Sequence, residues 1–212
     1  MPSNPLFERT VTALLAGEVL CEYRHEDLVT YLLVPENQER VADFLSQLSR
    51  TLRQTGNKDA WLCAYQDLSV SGAREGVRQQ FREVANHLES LVAFLRLVMN
   101  VETNDRPIAP GEHLYESQLI EQIAGTPTLE EKLRSLTEKR LFSTKKPDVA
   151  GRIRVVMETL VNKGYLVRFG TSGNDYQATG KFSWLYDMMS FIQNHEGIPE
   201  DAVDEDNQMR LT

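Results

Sequence analysis

Eleven Lys and Arg side chains lie between Lys132 and Lys181, against four acids, Glu138, Asp148, Glu158 and Asp175, so this stretch carries +7. The rest of the 212-residue chain holds 12 basic and 27 acidic residues, and the formal net charge is −8. Lys and Arg on a surface are what contacts to phosphate oxygens require, and such contacts give affinity without reading base sequence. A positive third in an acidic chain has a local field that can steer a polyanion to one face. The candidate phosphate-contacting residues are Lys145, Lys146, Arg152, Arg154, Lys163, Arg168 and Lys181. Neither Asn162 nor Gln177 stands out as a reader of base edges, so any DNA contact is expected to be non-specific. The competing reading of the same residues is a solvated face or a protein-binding one.

Other chemistry finds little support. No GxxxxGK[ST] phosphate loop and no GxSxG nucleophile turn occur. "GTSGND" is glycine-rich but falls between two apparent strands, where it reads as a turn. His25, His87, His113 and His195 have no HxxxH or HExxH spacing, and the carboxylates form no motif with a base or a metal. Met188, Met189, Trp184 and Phe191 form an apolar stripe that reads as core or interface. Cys21 and Cys63 lie in apolar segments without CxxC spacing, which fits two buried, reduced thiols. The expectation is a chain with no catalytic residue, cofactor or metal.

The elements that must position the basic residues follow from periodicity. Phe7, Val11, Leu14 and Leu15 share a helical face that Gly17 ends. "EVLCEY" is a short strand candidate, "HEDLVTYLL" a helix, and "QERVADFLSQLSRTL" a helix with Val41, Phe44, Leu45, Leu48 and Leu52 on one stripe. "AWLCAY" reads as a strand. A long helix follows from Val77 to Met99, apolar nearly all round in its second half, as expected of a helix buried between partners. Leu91, Phe94, Leu95 and Val98 are its candidate contacts with another domain or subunit. "TNDRPIAPG" marks the clearest boundary. Beyond it, "EHLYESQLIEQIAG" is expected to be a helix. "TPTLEEKLRSLTEKRLF" is another, with Thr128 able to cap it, and "VAGRIRVVMETLVNKG" a third, stopping at Gly164. "YLVRF" and "YQATGKF" then make a hairpin, and "SWLYDMMSFIQNHEG" a last helix.

Three helices, the third amphipathic, followed by a two-stranded hairpin describe a winged helix. In DNA-binding versions the third helix presents its outward face to a groove and the wing reaches the neighbouring backbone. The first seventy residues have a similar order but are acidic, which suggests a second, degenerate copy suited to protein. The expected fold class is mainly α with small β wings (α+β), as tandem winged-helix domains joined by a long helix. The expected domains are residues 1–70, a long helix and linker over 71–110, a second winged helix over 111–192 and an acidic tail over 193–212. Six of the eleven residues from Glu196 to Asp206 are acids, a composition expected to stay solvated and disordered. No run of about 18 apolar residues suggests a membrane span, and the N-terminus does not read as a signal peptide. A cytoplasmic location is expected.

Several stretches carry a family resemblance: "ALLAGEVLCEYRHEDLVTYLL", "NQERVADFLSQLSRTL", "RQQFREVANHLESLVAFLRLV", and "GRIRVVMETLVNKGYLVRFGTSGNDYQATGKFSWLYDMM" before the acidic tail. Together they resemble the MukE/MksE family, the small winged-helix subunits of bacterial condensins of the MukBEF, MksBEF and Wadjet types. The N-terminal half departs more from MukE, which makes MksE the better match. The resemblance implies a homodimer that binds a MukF/MksF-like kleisin and, through it, a MukB/MksB-like SMC ATPase. It implies a nucleoid-associated protein that does no chemistry and helps hold double-stranded DNA, in chromosome organisation or plasmid defence. By position, the basic face of the second winged helix would face DNA, and the apolar long helix, with Leu91, Phe94, Leu95 and Val98, would meet the second copy or the kleisin. The alternative is a dimeric winged-helix transcription regulator that binds specific DNA; an enzyme of unrecognised type is a further possibility.

Overall fold

A computed structural model describes residues 5–66, 73–102, 106–171 and 173–196. The residues after Glu196, which include nearly all of the acidic tail, lie outside them. The described chain is mainly helical with two small antiparallel sheets, the expected fold class. No helix among the described residues is long and apolar enough to cross a membrane.

The N-terminal half begins with α1 (Pro5–Leu15), whose Val11 and Leu14 are buried. Gly17 ends it in the left-handed region (φ 81°), where glycine meets no Cβ penalty. The chain then makes a single antiparallel bridge, Leu20 to Trp61, before α2 (Glu22–Leu32) and α3 (Pro35–Gln47). Two strands follow, β1 (Arg50–Gln54) and β2 (Trp61–Tyr65), in register from Arg50 opposite Tyr65 to Gln54 opposite Trp61. Here the sequence reading is corrected. The apolar stripe suggested a helix through Leu52, but α3 stops at Gln47 and Ser49 takes a left-handed turn (φ 56°). Leu52 therefore lies in β1, opposite Cys63. Val11, Leu14, Leu20, Leu28, Tyr31, Leu32, Val41, Leu45 and Trp61 form one core.

The second half is built on α4 (Ala73–Glu102), a 30-residue helix. It continues into β3 (His113–Tyr115), α5 (Glu116–Ala124), α6 (Pro127–Glu138), α7 (Val149–Asn162), β4 (Leu166–Phe169), β5 (Asp175–Ala178) and α8 (Lys181–Glu196). The sheet order is β3-β5-β4, antiparallel throughout. Two local expectations change. Residues His113–Tyr115, expected as helix, form a strand because each pairs with β5, His113 opposite Gln177 and Tyr115 opposite Asp175. Thr126, not Thr128, sits at the N-cap of α6, and its side chain makes no capping bond.

Leu91, Phe94, Leu95 and Val98 are 0%, 2%, 6% and 3% exposed. They pack into the same core as Leu114, Leu133, Phe142, Ile153 and Met157. This corrects the expectation that they meet another subunit: the four side chains are buried in a core of their own chain, where α4 packs on α5 and α6. Each such buried side chain stabilises the fold by about 1.5–3 kcal/mol. The two halves also touch. Gly180 lies so close to the N-terminal half that an added Cβ would come within 2.6 Å of the Ala60 Cβ and 2.8 Å of the Cys21 Cβ. Ser183 Oγ donates to Asp59 Oδ2 at 2.6 Å, and the Gly56 N–H donates to Asp187 Oδ2 at 2.8 Å. Cys21 is buried and Cys63 half-buried; both are free thiols.

Candidate nucleic-acid interface

The basic cluster is organised around α7. Its apolar stripe, Ile153, Val156, Met157 and Leu160, is buried and fixes which faces remain outside. Asp148 caps the helix: its carboxylate accepts from the Gly151 N–H at 2.7 Å, and that bond holds the Asp148 pKa below its ordinary value. At the other end Gly164 takes φ 78°, and the Tyr165 N–H closes the turn on the Leu160 carbonyl. The wing, β4 and β5, follows directly.

Positions two apart on a helix point about 200° away from each other, so Arg152 and Arg154 cannot share a face. Arg152 is half-buried and donates from Nη1 to Thr137 Oγ1 of α6 at 2.7 Å. Arg154 lies on the wing side. Its Nη2 meets Glu116 Oε1 at 3.1 Å, and the Glu116 side chain is only 3% exposed against 60% for Arg154. The Tyr176 hydroxyl donates to the other Glu116 oxygen at 3.2 Å. Burial first, and then the Glu116 charge, push the Tyr176 pKa up to about 12. One turn on from Arg154, Glu158 pairs with Arg168 of β4, which also donates to the Gly173 carbonyl at 2.7 Å. Bonding to Glu158 raises the Arg168 pKa.

Lys163 and Lys181 are elsewhere. Lys181 Nζ donates to the Lys163 carbonyl at 2.8 Å and lies over the rings of Tyr165 and Trp184, at 5.1 and 5.9 Å. Both lysines line a groove facing the N-terminal half. Lys145 and Lys146 are exposed in the loop before α7, and among the described residues neither makes an ion pair.

The seven expected residues thus divide. Arg154 and Arg168 gather on the wing side of α7, Lys145 and Lys146 stand at its N-terminus, Arg152 is turned into the α6 contact, and Lys163 and Lys181 border the groove. The sequence placed Glu158 on the outward face of α7 but did not reveal that it pairs with Arg168, nor that Glu116 and Thr137 meet Arg154 and Arg152. Only the one-turn spacing of Arg154 and Glu158 hinted at a mixed-charge face. No group of three or more His, Cys, Asp or Glu side chains among the described residues is placed to hold a metal ion.

A helical protein with a small sheet-borne wing and a divided basic face is the setting for the family comparison. The model of the condensin complex protein MksE matches residues 5–188, and the chain belongs to that family. It is accordingly a condensin-complex component that acts within a multi-subunit assembly. No curated protein matches it in sequence.

Proposed function

We propose that this chain is the non-catalytic, kleisin-binding subunit of an SMC complex and that it helps hold double-stranded DNA without sequence preference. In this reading each half is a winged helix, the chain forms a homodimer in the cytoplasm at the nucleoid, and a kleisin links it to the ATPase that hydrolyses ATP. The observation that carries the reading is the MksE family match over residues 5–188, joined to a basic face on a chain of net charge −8. The DNA-facing residues are Lys145 and Lys146, with Arg168 and Arg154 contributing once their carboxylate partners are exchanged for phosphate. Arg152, Lys163 and Lys181 have lesser parts, because they serve contacts within the chain. The complex would act in chromosome organisation or plasmid defence.

The test is DNA retention by the assembled complex as salt is raised. Lys145→Glu with Lys146→Glu should leave the fold intact and reduce retention. Each lost phosphate contact should make the slope of log K against log salt shallower by about 0.9. An unchanged slope would remove DNA contact from this face.

A further inference from the structure

Strand β2 has two edges, and among the described residues only one is paired along its length. Its inner edge pairs with β1 along the whole strand. Among the described residues its outer edge meets Leu20, through two hydrogen bonds of 2.8 Å between the Leu20 and Trp61 backbones. In an antiparallel ladder, alternate residues direct both N–H and C=O to the same side. Trp61 faces outward to Leu20, so Cys63 and Tyr65 face outward too, while Leu62 and Ala64 face β1. Two further bonds fix this phase. The Thr55 N–H donates to the Ala60 carbonyl and the Gln66 N–H to the Ser49 carbonyl, each at 3.0 Å and each on the β1 side. Among the described residues no partner meets the backbone groups of Cys63 or Tyr65.

The second half of the chain displays the closed form of the same edge. There β3 pairs three residues with β5, and the pairing continues through the backbones of Gly111, Glu112 and Ala178 at 2.8 Å. Tyr115 opposite Asp175 occupies the place of Leu20 opposite Trp61, each at the last position but one, or the last, before a helix. In the first half the strand peels away before Leu20. Gly17 turns left-handed, and the Glu18 N–H bonds back to the Ala13 carbonyl at 3.0 Å instead of running beside Cys63.

The gap left by that divergence is a groove of about 340 Å³ between the two halves, at the lower end of the range for ligand clefts of about 300–1,000 Å³. Val19, Leu62, Trp184 and Met188 give it an apolar lining, and Lys163 and Lys181 bring positive charge to it. Unpaired strand edges are templates for another strand, and in such additions main-chain bonds supply affinity while side-chain pockets supply specificity.

We propose that an extended segment of a partner protein, with alternate apolar side chains and at least one carboxylate, adds to the outer edge of β2 and lies in this groove. The carboxylate answers Lys163 and Lys181, and the apolar side chains cover Trp184 and Met188. A nucleic acid fits less well, since it offers no alternating N–H and C=O to the open edge. The inference rests on the kleisin reading only for which subunit supplies the segment.

Residue-resolved amide hydrogen exchange tests this on the full chain, alone and within the complex captured from its native bacterium. Alone, the Cys63 and Tyr65 amides should exchange fast while Leu62 and Ala64 are protected by β1. In the complex, Cys63 and Tyr65 should become protected. Cys63→Pro removes an outward N–H that the β1 ladder does not use, and it should abolish capture of the partner; the exchange measurement needs no substitution, so it stands if this variant does not fold. A captured kleisin with Cys63 and Tyr65 still fast would overturn the groove and leave the kleisin reading standing. Failure to capture any kleisin would overturn that reading and the assigned source of the segment together. Protection that rises with the concentration of the chain alone would make a second copy the occupant and refute the proposal.

Discussion

Removing the Arg154 guanidinium should weaken the fold itself, before any effect on DNA. Arg154 meets Glu116 at 3.1 Å, with Glu116 inside the core and Arg154 mostly in solvent. Breaking a fully buried pair costs about 3–5 kcal/mol, because a charge is left without a partner, whereas an exposed pair is worth about 0–1 kcal/mol. This pair is buried at one end only, and Tyr176 still donates to the carboxylate, so Arg154→Ala should destabilise by about 2 kcal/mol. For a chain of this size that lowers the melting temperature by about 4–8 °C. Glu116→Gln in the same background removes the stranded charge and should recover part of the loss, a coupling of about 1 kcal/mol. Thermal and urea unfolding of the two single variants and the double variant measures it. An Arg154→Ala loss below about 0.5 kcal/mol, the range of ordinary surface changes, with no coupling would refute the reasoning. The practical consequence is that Arg154→Glu, which sets a second carboxylate beside Glu116, is a poor probe of DNA contact compared with Lys145 and Lys146.

Gly180→Ala forces a Cβ against Ala60 and Cys21 and should destabilise by about 1–3 kcal/mol in thermal unfolding. Gly125→Ala, whose Cβ would meet only the Glu121 carbonyl at 3.5 Å, is the control and should be close to neutral. Equal melting temperatures for the two variants would mean that the halves do not pack as described. His25 is held below its ordinary pKa, chiefly by burial and then by Arg24, against the opposing pull of Glu18. A depressed pKa contributes stability above the unfolded value of about 6.5, lost as pH falls through the folded one. Unfolding of the wild type should therefore become easier from pH 7 to 5, and His25→Gln should flatten that slope; parallel profiles would contradict it.

The parts of the fold set by short-range rules could be read in advance. The stripe on α7, its stop at Gly164 and the glycine-rich wing tip each follow from local spacing, and the structure has them. Elements defined by their partners could not. Leu48 and Leu52 continue the helical period of α3, and nothing local announces that Ser49 will turn left-handed and send Leu52 into a strand. His113–Tyr115 is a strand because β5 lies beside it, a fact some sixty residues away. The apolar encirclement of Leu91–Val98 correctly signalled burial, but periodicity cannot say whose atoms do the burying. The basic face shows the same limit. Lys and Arg can be counted in a sequence, whereas the carboxylates that meet Arg154 and Arg168 come from the start of α5 and from the next turn of α7. Counting therefore overstated how many of the cations are available.

The central claim, a kleisin-linked subunit of an SMC complex, is tested most directly by affinity purification of the chain from its native bacterium with mass spectrometry of what accompanies it. A kleisin-like protein and a large coiled-coil ATPase should accompany it in stoichiometric amounts. A clean homodimer that brings neither, and instead protects a defined DNA sequence, would contradict it and identify a transcription regulator.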